Sequence, residues 1–292
     1  MRSIAHPGTP DAQRLVGVPA RALFLNGKLS VGKTLLSAVT EVVEGKAAKS
    51  GAFTLNGGKF TSFSYVMPAL STSSEHAVYF SETFHVDGLV SLETAAVTYG
   101  VRDGQPWLHC HAVWIEPDGR RHGGHLLPDK VVVAEPIDLE GVALDDTAFT
   151  VNPDAETNFS LFVPMAQTPR GAGQKSPCSQ AREAFALRLA PNIDICTALE
   201  DFCHDQGIRH ASVFGGVGST VGAVFHDGRV VEPFVTELLI RSGRIKVEPA
   251  GQHHAEIDIS IVDYKGGLAE GRLAKGSNPV LVTLEVVICP DR

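Results

Sequence analysis

The two halves of this chain repeat each other in order, which confines a 292-residue sequence to architectures made from two copies of one unit. Arg21-Ala22-Leu23-Phe24-Leu25 corresponds to Phe185-Ala186-Leu187-Arg188-Leu189, and both alternate as strands do. Each leads into an amphipathic helix, with Ser30 or Asp194 as its N-cap. The first helix carries Leu35, Leu36, Val39, Val42 and Val43, and the second Ile195, Leu199, Phe202 and Cys203. A strand and a glycine-rich turn follow in each half, ending in Gly57-Gly58 and Gly215-Gly216. Leu89-Val90-Ser91-Leu92 then matches Leu238-Leu239-Ile240-Arg241. Beyond that the alignment runs without a gap. His109 falls on Glu256, His111 on Asp258, Gly119 on Gly266, Gly124 on Gly271 and His125 on Arg272.

Three of these positions carry chemistry. His109 and His111 are two apart, so on a strand both rings point to one face and Cys110 points to the other. Glu116-Pro117-Asp118-Gly119 reads as a turn, after which the chain returns with Gly123-Gly124-His125. Three imidazoles meeting there are three ligands for a divalent metal with a coordination position left open; the plain alternative is a few surface histidines. Neutral nitrogens suit Zn²⁺ first, with Fe, Ni or Cu left open. The Gly-Gly pair before His125 suggests a flexible segment. The second copy has lost all three imidazoles, and Arg272 puts a positive charge where the metal would sit.

Composition narrows the class. Hydrophobic residues make up 43% of the chain and charged residues 20%, enough apolar material for full cores. No apolar run approaches a membrane span, and Met1 to Gly8 lacks the apolar stretch of a signal peptide, so a cytoplasmic protein without membrane partners is expected. The five cysteines are odd in number, widely spaced and without a C-x-x-C pair, which reads as reduced thiols. A net charge of −8 argues against strong nucleic-acid binding, since such a protein gathers Lys and Arg against phosphates; Arg120-Arg121 is the only adjacent basic pair. Thr168 to Pro177 is rich in Gly, Pro and Ser and reads as linker. The expected organisation is a first domain at 18–167 holding the histidines, a linker at 168–180 and a second domain at 181–292.

At Leu108-His109-Cys110-His111-Ala112, Asp118-Gly119 and Gly123-Gly124-His125-Leu126-Leu127 the chain resembles the Plants and Prokaryotes Conserved domain. That family has an H-x-H strand, a D-G turn and a G-G-H-L segment. The resemblance extends over nearly all of both repeats. It implies an α/β fold of the α+β type, each domain a mostly antiparallel sheet with one or two packed helices. It also implies homotrimers and a metal, usually zinc, on the three histidines. Plant members join the domain to an AT-hook and act on DNA; here Pro169-Arg170-Gly171 lacks the second arginine of such a hook. The family's acidic residue in a G-R-F-E-I-L-type strand is aligned with Gly88 in the first half and Glu237 in the second. One half keeps the histidines and the other keeps the acid, as if they had taken different jobs or one had become scaffold.

Other motifs compete less well. Gly27 to Thr34 fits the phosphate-loop pattern, but Pro191 to Thr197 in the second copy has neither its glycine nor its lysine, so no nucleotide site is assigned. Gly215-Gly216 reads as a tight turn, and His253-His254 as a solvated loop whose rings face opposite ways. Glu116, His122 and Glu237 are candidates to support the histidines or line a ligand pocket. No catalytic residue is identified. Three functions stay open: a metal-dependent binding or regulatory module for a small or anionic ligand, a zinc enzyme using metal-bound water, and a DNA-associated protein by family analogy.

Overall fold

The computed structural model describes residues 1–167 and 181–291. The expected linker at 168–180, and the Pro169-Arg170-Gly171 segment within it, lie outside the described residues. Each half opens with a strand, Leu15–Leu29 or Arg182–Leu189, followed by one helix, Leu35–Glu44 or Ile195–Asp205. Among the described residues strands make up the remaining regular structure, and their pairings are antiparallel apart from a single parallel contact of Thr150 with Val101. The α+β character expected from the sequence is therefore present.

The helices form where the apolar spacing places them. Leu35, Ala38, Val39 and Val43 are buried on one helix, and Ile195, Cys196, Leu199 and Cys203 on the other. Asp194 caps the second helix, its Oδ1 accepting from the Thr197 amide at 2.9 Å. The first cap is Thr34, not Ser30: Thr34 Oγ1 accepts from the Ser37 amide, while Ser30 donates to Glu41. Lys33 pairs with Glu41 at 2.9 Å, so the phosphate-loop look-alike is a capped helix start. The strand before it pairs antiparallel with Ile137–Leu144, which is not the parallel setting of a nucleotide loop.

The ladders test the repeat residue by residue. His111 stands opposite His125 in the hairpin of Gln105–Ile115 with Arg121–Leu126. Asp258 stands opposite Arg272 in the hairpin of His253–Asp263 with Leu268–Arg272, which is the alignment read from the sequence. One earlier match shifts. Glu237 pairs with Val262 and Ser91 pairs with Ile115, so the register counterpart of Glu237 is Ser91 and not Gly88. Gly88 lies just before the strand at φ +95. Short apolar runs slide easily by sequence alone; the ladder fixes them.

Each half has its own core, one around Phe53, Phe60, Phe63 and Trp114 and one around Leu187, Leu199, Ile257 and Ile259. A third cluster, rich in alanine, joins them through Ala20, Ala22, Ala52, Ala184 and Ala186. The boundary at residue 18 does not hold. The strand Leu15–Leu29 runs through it, with Leu15 to Ala22 paired to Arg182–Leu189 and Ala22 to Leu29 paired to Ile137–Leu144. The N-terminal residues also reach the second half, where Arg2 donates to the Val231 carbonyl and Ile4 to Asn192. Gly215 and Gly216 form no turn. They lie inside the strand His210–Val224 at φ +72 and +102, where the register shifts as in a bulge. A Cβ on Gly215 would meet Ala52 Cβ at 2.7 Å, so this glycine lets the halves touch. His253-His254 likewise belongs to a strand, with His253 bonded to the Ile208 carbonyl at 2.8 Å.

Candidate metal centre

The strand Gln105–Ile115 turns Cys110 into the first core and His109 and His111 to the opposite face. Burial pushes the Cys110 thiol up, so it is inert as a ligand. The turn forms as expected, with the Gly119 amide donating to the Glu116 carbonyl and Gly119 at φ +83. It returns the chain so that His125 stands beside His111. One nitrogen from each of His109, His111 and His125 lies within 4.8 Å of the others.

The glycines before His125 are not a hinge. A Cβ on Gly124 would strike the Val66 carbonyl at 2.9 Å, and one on Gly123 would strike Leu268 at 2.8 Å. The pair lets Arg121–Leu126 sit closely among its neighbours, one of them from the second half. His125 is therefore held in place, which corrects the expectation of a flexible segment.

The second half completes the surroundings of the histidines. His109 Nδ1–H donates to Glu285 Oε2 at 2.8 Å, and Thr283 donates to the other oxygen at 3.2 Å. His111 Nδ1–H donates to the Leu238 carbonyl at 2.8 Å. These partners fix both tautomers and leave each Nε2 as a bare lone pair. The two Nε2 atoms face each other at 3.2 Å. Burial, with His109 and His125 nearby, holds His111 well below its ordinary value, against the Leu238 bond that raises it. Burial also lowers His125 to about 3, with His109 adding to the effect, and His125 Nδ1 is buried without a partner.

Glu237 reaches the same place. Its Oε1 lies 3.9 Å from His111 Nε2, and its Oε2 is buried with no hydrogen-bond partner. Burial pushes its carboxyl up to about 8. The acid kept by the second half and the histidines kept by the first thus meet in one site. Glu116 and His122, the other two candidates, do not join it. His122 points to the face opposite His125, stacks on Trp114 at 6.2 Å between ring centres and lies 3.8 Å from Glu116. Neither lines the cavity in front of the histidines.

Where the first half has histidines, the second has an ion pair. Arg272 Nε and Nη2 each bond an oxygen of Asp258 at 3.0 Å, and Nη1 lies 3.5 Å from Glu256. A guanidinium thus satisfies the carboxylates at the positions of His109 and His111. Beside the centre, charges of alternating sign tie the halves together: Glu93 bonds Arg121, Arg121 bonds Glu270, and Glu270 bonds Arg241. Arg121 is therefore already matched by carboxylates, and Arg120 bonds Asp118.

Sequence reading missed Glu285, Thr283 and the Leu238 carbonyl. One signal was available for Glu285, a lone carboxylate inside the apolar run Val280 to Cys289, because a buried charge needs a partner. It missed as well the aromatic residues Phe80 and Phe159, which wall the cavity from two hairpins. No helix among the described residues is long and apolar enough to cross a membrane.

No curated protein matches the chain. Among solved structures it is similar to a plant- and prokaryote-conserved protein of Pyrococcus horikoshii, at 14% identity and a TM-score of 0.41, over 51% of this chain and 96% of that one. It is also similar to a metal-containing protein of Archaeoglobus fulgidus, at 17% identity and a TM-score of 0.38, over 56% of this chain and 99% of that one. Each of these proteins therefore corresponds to about half of the present chain. Residues 177–290, within the second half of the chain, match the family model of the Plants and Prokaryotes Conserved (PCC) domain.

Proposed function

We propose that the chain is a tandem pair of PCC-type domains holding one divalent transition metal on His109, His111 and His125, and that the centre serves to bind a small molecule. The observation that carries this is the pair of Nε2 lone pairs facing each other at 3.2 Å. With both Nδ1 atoms engaged elsewhere, the two facing Nε2 atoms are placed to be bridged by a cation. The separation suits two ligands on one zinc, since bonds of about 2.0–2.1 Å at a tetrahedral angle set the nitrogens about 3.3 Å apart. The unpartnered His125 Nδ1 and Glu237 Oε2 fit the same account. The donor set favours zinc, with iron, nickel or copper as alternatives.

When bound, the metal supplies a Lewis acid at the inner end of the cavity. The rest is done by the chain. Glu285 and the Leu238 carbonyl orient two of the rings, and apolar walls keep bulk water away. Glu237 presents a carboxyl toward the open side of the histidines, and that position favours a metal-dependent enzyme as the second reading. The second half contributes Glu237 and Glu285, so one chain completes the centre without help from another copy. DNA association ranks last, given the net charge of −8; tight binding to duplex DNA at physiological salt would reverse that order.

Elemental analysis of protein purified without added metal tests the reading. One metal per chain is expected, with His109→Ala or His111→Ala losing it while circular dichroism stays native. Metal-free wild type that gains none on titration, or His109→Ala that keeps it in full, would refute the centre.

A further inference from the structure

The cavity in front of the histidines has a volume of about 320 Å³, at the small end of the range for ligand pockets. Its two ends are chemically different. The inner end holds the three imidazoles and Glu237, which is only 6% exposed and has an unpartnered oxygen. The middle is aromatic. Trp107 stands two residues before His109 on the same strand face, about 7 Å along it. Phe80 comes from the hairpin of Pro68–Leu70 with Val78–Phe80, and its ring meets His125 edge-on at 5.4 Å. Phe159 lies 5.8 Å from Phe80, also edge-on. The two segments that carry these rings are tied together, since Asn158 donates to the Glu75 carbonyl at 2.8 Å.

Arg102 also lines the cavity, with its guanidinium 5.2 Å from the centre of the Trp107 ring. Its ion pair among the described residues is a loose 3.9 Å contact with the exposed Asp103. The guanidinium thus keeps most of its donors for something else. An oxygen-seeking inner end, a flat aromatic middle and a guanidinium beside the Trp107 ring describe one kind of molecule.

We propose that the cavity takes a small aromatic carboxylate. An oxygen-bearing head lies against the histidines and Glu237, the ring lies among Trp107, Phe80 and Phe159, and the carboxylate meets Arg102. The inference rests on the metal-centre reading above. The aromatic walls favour a ring over an aliphatic chain through edge-to-face contacts. A sugar would leave its hydroxyls without partners along them. A nucleotide would need more volume and more than one cation.

The test uses the zinc-loaded full chain and three probes: 4-hydroxyphenylacetate, its neutral primary amide, and phenylacetate, which lacks the hydroxyl head. Calorimetric titration should show the acid binding about fivefold more tightly than the amide, the range of a half-exposed ion pair. Arg102→Gln, a surface change, should erase that preference. Phenylacetate should bind more weakly than the hydroxylated acid, and the visible bands of the cobalt-loaded protein should shift only with a hydroxylated probe. Equal binding of acid and amide, an acid preference that survives Arg102→Gln, or unchanged cobalt bands would overturn the proposal. Metal content is measured on the same sample. Zinc bound without probe binding sinks this inference alone, whereas a protein that takes up no zinc sinks the reading beneath it.

Discussion

Replacing Glu285 by glutamine removes one charge from the second half and should weaken metal binding in the first. Glu285 Oε2 accepts from His109 Nδ1 at 2.8 Å and Oε1 accepts from Thr283 at 3.2 Å, and the side chain is 1% exposed. Glutamine has the same shape. Its amide oxygen can accept from His109 while its NH₂ donates to the Thr283 hydroxyl, so both hydrogen bonds survive and only the charge is lost. That charge raises the basicity of the imidazole, and such outer partners are worth about 10–100-fold in metal affinity. Water cannot replace a carboxylate buried this completely, so the upper part of the range is expected, about 30–100-fold or roughly 2–2.7 kcal/mol. Competition against a chromophoric chelator at fixed pH reads the affinity directly. At a metal concentration a hundred times the wild-type Kd, a thirtyfold weakening removes about 2 kcal/mol of metal-linked stability. For a chain of this length that lowers Tm by about 3 °C, while the metal-free Tm stays put. A folded Glu285→Gln protein with wild-type metal affinity would refute the argument that the second half tunes the centre.

Three further outcomes are expected. Gly215→Val combines a side chain at φ +72 with a Cβ 2.7 Å from Ala52, so urea unfolding should show a loss of about 2–5 kcal/mol; an unchanged midpoint would mean the halves are not pressed together there. Arg272→Ala should leave metal stoichiometry intact and cost at most about 1 kcal/mol, because its pairing with Asp258 is partly exposed, at 40% for the arginine; extra metal taken up by this variant would show that the guanidinium fills a second site. Light scattering should give about 93 kDa for the homotrimer that the family resemblance implies, three times the 31.1 kDa chain; a mass of one or two chains would remove that assembly.

Several features were legible in the sequence because they are local. Helix periodicity, the Asp194 cap and the turn ending at Gly119 depend on residues a few positions apart, and each formed where expected. His109 and His111 share a face by the two-residue period of a strand alone. The gap-free alignment of the histidine hairpin also survived, since strand register and turn length are both written into it. Short apolar matches were weaker. Leu89 to Leu92 could slide along Leu238 to Arg241, and only the ladder set Ser91 opposite the counterpart of Glu237's partner.

What the tertiary structure decided is how the halves combine. Sequence showed one repeat with histidines and no acid and the other with an acid and no histidines, which read as divergence. Packing turns that into complementation, bringing Glu237 to His111 and Glu285 to His109 from well over a hundred residues away. Periodicity reports which face of a strand is apolar, not which distant strand will cover it. The choice among faces is made by fit. The alanines at the join, Gly215 against Ala52 and Gly123 against Leu268 allow one close approach, and that approach delivers the second half's carboxylates to the first half's histidines.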